Sequence, residues 1–122
     1  MKPKTLAAVV LLLLGLLGLA AAAAAQFGEA DRYFGLEWTG GERRGRPNVN
    51  GYIVNQYRAR AENLQLRVES LDPSGKTVAT TPGYVANVPA GARVYFEVPV
   101  KDRAPRYRVT IVSWEWRDTG GQ

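Results

Sequence analysis

Apolar and polar residues alternate along three separated stretches of this chain, and a period of two excludes most folds open to it. The stretches are Leu64-Gln65-Leu66-Arg67-Val68-Glu69, Arg93-Val94-Tyr95-Phe96-Glu97-Val98 and Arg106-Tyr107-Arg108-Val109-Thr110-Ile111. Successive side chains of a strand point to opposite faces, so each stretch buries one face and wets the other. No window beyond residue 25 gives a convincing helical period of 3.6. The expectation is all-β.

Turn residues fall between these stretches. Asp72-Pro73-Ser74-Gly75 has Pro at the second turn position and Gly at the fourth, which suits a type I turn. Pro89-Ala90-Gly91 precedes one later strand, and Asp102-Arg103-Ala104-Pro105 precedes the last. Short strands with turn signals every 10–15 residues indicate a sandwich. The pattern predicts strands near 33–39, 49–57, 62–71, 76–82, 92–100 and 105–116. The expected fold is a small immunoglobulin-like antiparallel β-sandwich of about six to seven strands.

Lys2 and Lys4 precede an uncharged run from Thr5 to Ala25, Leu-rich at first and ending in Ala20 to Ala25. A basic start, an apolar middle and a small-residue end are the parts of a secretory signal peptide, with Ala23 and Ala25 placing the cut before Gln26. An uncleaved inner-membrane anchor over residues 5–25 is the alternative, because about 20 residues suffice to span a bilayer. The expected organisation is a signal peptide over 1–25, a β-sandwich over 26–118 and a flexible tail over 119–122. The expected location is periplasmic or secreted.

Composition narrows the chemistry. The chain has no Cys and no His, which excludes disulfides, thiol nucleophiles, imidazole catalysis and the usual zinc sites. Without residues 1–25 the net charge is +3, and the dense basic spot is Arg43, Arg44 and Arg46 within GGERRGR. Gly40, Gly41 and Gly45 suggest a solvated loop there. The functional alternative is a contact with anionic lipid, cell-wall polymer or an acidic protein. Gly75-Lys76-Thr77 lacks the earlier glycine and the following helix of a phosphate-binding loop, so no nucleotide is expected. No nucleic-acid motif is present either. Ser74 and Lys76 lie at a tight turn where nothing would desolvate the lysine. Glu69 and Glu97 share the outward parity of their strands with Arg67, Arg93 and Arg108, which suits cross-strand ion pairs rather than a catalytic acid in an apolar pocket. Asp72 and Asp118 lack the clustered oxygens of a calcium site. The expectation is a non-enzyme without cofactor or metal.

Several of these segments also form a spaced set. Val49, Gly51, Ile53 and Asn55 are followed by the alternating Ala61 to Val68. Next come Asp72-Pro73-Ser74-Gly75-Lys76-Thr77-Val78, Pro89-Ala90-Gly91 with Phe96-Glu97-Val98, and Tyr107-Arg108-Val109. Together they resemble the FxLyD-type domains, small immunoglobulin-like sandwiches of exported bacterial proteins. In place of the name-giving motif stands Val68-Glu69-Ser70-Leu71-Asp72, and Ala90 separates Pro89 from Gly91. The resemblance implies an adhesion, accessory or interaction role and supplies no catalytic residues.

The aromatic residues are the remaining candidates. In the last strand Tyr107, Val109 and Ile111 share one parity, while Val112, Trp114 and Trp116 fall on the other. Either a bulge near Ser113 turns the strand, or Trp114 and Trp116 line an exposed patch. Trp38 joins them if the first strand runs beside the last, and Tyr95 is a further candidate. Two functions follow as expectations: a module that binds another envelope or extracellular protein, or a carbohydrate or cell-wall binding module using exposed aromatics.

Overall fold

The computed structural model describes residues 29–117. Residues 29–31 form one helical turn. The signal segment and the tail over 119–122 lie outside the described residues. From Tyr33 onward the chain forms six strands: β1 (Phe34–Arg43), β2 (Arg46–Asn55), β3 (Arg60–Leu71), β4 (Thr77–Val88), β5 (Arg93–Pro99) and β6 (Arg106–Arg117). All pairings are antiparallel. One sheet runs β1-β2-β5 and the other β4-β3-β6. The two sheets face each other as a β-sandwich, with β5 beside β4 and β1 beside β6 at the two sides.

The alternation read from the sequence sets the inner faces. Val49 and Ile53 of β2, Leu64, Leu66 and Val68 of β3, Phe96 and Val98 of β5, and Val109 and Ile111 of β6 are all buried. Gly51 sits among them, paired with Trp38 of β1 so closely that a Cβ there would stand 1.9 Å from the Glu37 carbonyl oxygen.

One buried polar residue organises the end of the sandwich. Asn55, fully buried, donates through Nδ2 to the carbonyls of Ala59 (2.8 Å) and Val88 (3.0 Å), and its Oδ1 accepts from the Tyr57 backbone N–H (2.9 Å). Its own backbone N–H donates to Ala92 O, and its carbonyl accepts from Gly91 N. One side chain and one peptide thereby tie the β2–β3 turn, the end of β4 and the turn before β5.

At the start of β6 the Tyr107 hydroxyl accepts from the Ala104 backbone N–H (2.9 Å). A tyrosine at this corner bonding back to the upstream backbone is a recurrent device of immunoglobulin-like sandwiches. The Asp72–Gly75 turn forms as expected. Gly75 N donates to Asp72 O at 2.8 Å, and Asp72 Oδ1 accepts from Ser74 N, Ser74 Oγ and Lys76 N.

Two boundaries differ from the sequence reading. The glycines of GGERRGR do not make a loop: Gly40 and Gly41 lie inside β1, which pairs with β2 without interruption from Phe34↔Asn55 to Arg43↔Arg46. Arg44 (φ 53°) and Gly45 (φ 78°) alone make the turn. Two successive positive φ values give the two-residue hairpin whose twist matches the strands. An arginine at the first of those positions concealed it, since Asn, Asp or Gly is usual there. The second difference is β4, which continues through Pro82 and Gly83 to Val88. Among the described residues β4 pairs with β3 alone, as an edge strand, so a proline is tolerated.

Candidate binding face

The sequence left open whether Trp114 and Trp116 turn inward. Two bulges decide it. Between Glu62↔Glu115 and Gln65↔Ser113, β3 advances three residues while β6 advances two. Asn63, at φ 53°, is the extra residue. Between Gln65↔Ser113 and Leu66↔Ile111, β6 has the extra residue, Val112. The two insertions cancel, so register is restored beyond them while the parity of both strands changes.

Trp114 and Trp116 therefore share the inward face of Val109 and Ile111. There Trp114 meets the buried Phe34 ring edge-on (5.2 Å) and Trp116 stacks on it (5.6 Å, 11° between planes). Tyr33 and Tyr57 complete the cluster around Trp116, at 5.1 and 4.7 Å. Trp114 is half-buried and Trp116 stays 36% exposed. The pair covers one end of the core. Asn63, whose αL conformation makes the first bulge, is held by bonds from its Nδ2 to Glu115 and from the Tyr84 hydroxyl to its Oδ1.

Trp38 does not join this cluster. Its Nε1 donates to the Tyr107 carbonyl (2.9 Å), bridging the β1 and β6 edges, with 38% of the residue exposed. It walls an open cleft of about 640 Å³ that runs beside Thr39 to Glu42 and faces Arg103 to Tyr107.

Tyr95 lies elsewhere again, on the outer face of the β1-β2-β5 sheet. Register places Glu37, Tyr52 and Tyr95 in one row across that sheet and Thr39, Asn50 and Glu97 in the next. The Arg93 guanidinium stacks over Tyr52, 3.6 Å from the ring centroid, and bonds Glu37 Oε1 at 2.6 Å. Tyr52 and Tyr95 meet edge-on at 5.6 Å. The Tyr95 hydroxyl donates to Glu97 Oε1 at 3.1 Å. Arg43 grips both oxygens of Glu97 from the other side, at 2.8 and 3.0 Å. Asn50 Nδ2 donates to Asn48 Oδ1.

This hydrogen bonding sets the electrostatics. The Arg43 guanidinium holds the Glu97 carboxyl below the usual carboxylate range, and Glu97 in turn raises Arg43. Partial desolvation, then the neighbouring Glu97 carboxylate, pushes the Tyr95 phenol up. All three groups keep their neutral-pH charge states, so the face is a fixed pattern of guanidinium, phenol and carboxylate. At its lower end Arg43, Arg44 and Arg46 surround a cleft of about 680 Å³ floored by Asn48 and Glu97.

The opposite outer face is plainer. Glu69 lies between Arg67 (3.7 Å) and Arg108 (3.5 Å) and accepts from Thr77 Oγ1. The Arg108 contact is a cross-strand ion pair of the kind expected from parity, whereas Arg67 lies two residues from Glu69 on β3 itself. Among the described residues, no group of three or more acidic side chains converges to hold a metal ion.

Sequence reasoning named Tyr95 and Arg43 separately and missed Tyr52, Arg93 and Glu37 as their companions. The signal was the outward parity of Arg93, Tyr95 and Glu97. It could be used only once β2 was known to lie between β1 and β5. No family model, curated protein or solved structure matches this chain.

Proposed function

We propose that this chain is an exported, non-enzymatic interaction module of the FxLyD type, periplasmic or secreted, and that it binds another envelope or extracellular protein. The outer face of β1-β2-β5 is the binding face. The observation that carries this reading is the Arg93–Tyr52–Tyr95–Glu97–Arg43 network. Tyrosine and arginine are enriched among the residues that dominate the energetics of protein interfaces, tyrosine because it brings large contact area with few rotors to fix and arginine through its planar, multiply donating guanidinium. Here the rotors are already fixed by stacking and paired hydrogen bonds, so the ordering entropy is lost on folding rather than on binding.

A second reading, glycan binding, is favoured by Trp38, whose tethered and partly exposed indole is a rigid surface for a sugar ring. Affinity capture with the processed protein distinguishes the two. A discrete envelope protein should be recovered, lost with Tyr95→Ser/Arg93→Ser and retained with Trp38→Phe. Recovery that is indifferent to the double substitution refutes the face. A soluble glycan that shifts tryptophan emission, with the shift lost in Trp38→Phe, favours the second reading.

A further inference from the structure

We propose that the free edge of β1 is a self-association site, at which a second copy of this chain adds its own β1 antiparallel across a two-fold axis. Among the described residues β1 pairs with β2 alone, so its other edge presents unpaired backbone donors and acceptors. Such edges are ordinarily blunted by proline, a bulge or shortness. The other three edge strands carry these devices: β4 has Pro82, β6 is bulged at Val112, and β5 has seven residues and ends at Pro99. β1 has ten residues, no proline and an unbroken register, and its one such device is charge, of both signs, in Glu37, Glu42 and Arg43.

Its charges also suit a copy of itself. With Gly40 on the two-fold axis, Thr39 faces the second copy's Gly41, Trp38 faces its Glu42, and Glu37 faces its Arg43. The two-fold repeats the last pair, so the register sets two opposite-charge pairs directly across strands and no like-charge pair. Shifting by one residue would set Glu37 against Glu42 and turn every side chain to the wrong face. Glu37 and Arg43 bond Arg93 and Glu97 of β5 in their own chain with side chains 61% and 66% exposed, so pairing across the new edge has them share or exchange those partners. Pairing joins two three-stranded sheets into one of six strands and places two outer faces side by side. The association stands independently of what those faces bind.

The test is sedimentation equilibrium on the processed protein across concentration, with hydrogen exchange on the same samples. Weight-average mass should rise toward twice the single-chain value, and amides of Trp38 to Glu42 should gain protection as it does. Glu37→Arg and Arg43→Glu should each be monomeric, because each homodimer would set two like charges opposite each other. An equimolar mixture of the two should dimerise again, since every cross-strand pair is then of opposite sign. That recovery also excludes misfolding as the cause of either loss. A wild type that stays monomeric at its solubility limit, a dimer that survives in both variants, or protection arising outside β1 would each overturn the proposal.

Discussion

Among the single residues described, Asn55 is the fully buried polar one. Its side chain makes three hydrogen bonds to backbone groups of two segments, the β2–β3 turn and the end of β4. Asn55→Ala leaves buried carbonyls and an N–H without partners, and unfolding in urea should show a loss of about 3 kcal/mol. A loss under ~1 kcal/mol would mean that water replaces the side chain. Asp72 is the complementary surface case. Its carboxyl is held below the usual range chiefly by the Ser74 hydroxyl, then by the Lys76 backbone N–H. A carboxyl depressed in the folded state adds stability above its unfolded pKa, and that stability is lost as pH falls through the folded value. Between about pH 7 and about pH 3, Asp72→Asn should therefore lose less stability than wild type. Parallel profiles for the two proteins would contradict the turn geometry.

At the level of elements, the bulge pair is the feature that most changes what the molecule displays. Asn63 adopts αL, where a β-branched residue is strained. Asn63→Val should destabilise by about 1–3 kcal/mol and move tryptophan emission to the red, as Trp114 and Trp116 lose their seat on Phe34. Unchanged emission would show that the bulge does not set their orientation.

The same comparison shows which elements were legible in the sequence. β3, β5 and β6 were, because each buries one face and repeats polarity every second residue. The end of β1 and the start of β2 were not. Their glycines resemble punctuation, and they remain in the strand because side chains from neighbouring elements fill the space above them. The flip in β6 was visible as a parity conflict between Ile111 and Trp114. Nothing in β6 alone could resolve it, since the compensating insertion is in β3. The companions of Tyr95 were hidden for a related reason: they come from β1, β2 and β5, and strand order is a tertiary fact.

In the whole molecule, two groups of aromatic residues do different work. Tyr33, Phe34, Tyr57, Trp114 and Trp116 close one end of the core, whereas Tyr52 and Tyr95 lie with Arg43 and Arg93 on an outer face. The division carries the functional reading, because a residue needed by the core is poorly free to engage a partner. Equilibrium urea unfolding of Trp114→Ala beside Tyr95→Ala tests it most directly. Trp114→Ala should lose about 3 kcal/mol, and Tyr95→Ala should stay within about 0.5 kcal/mol of wild type. A Tyr95→Ala loss equal to or larger than that of Trp114→Ala would contradict the division.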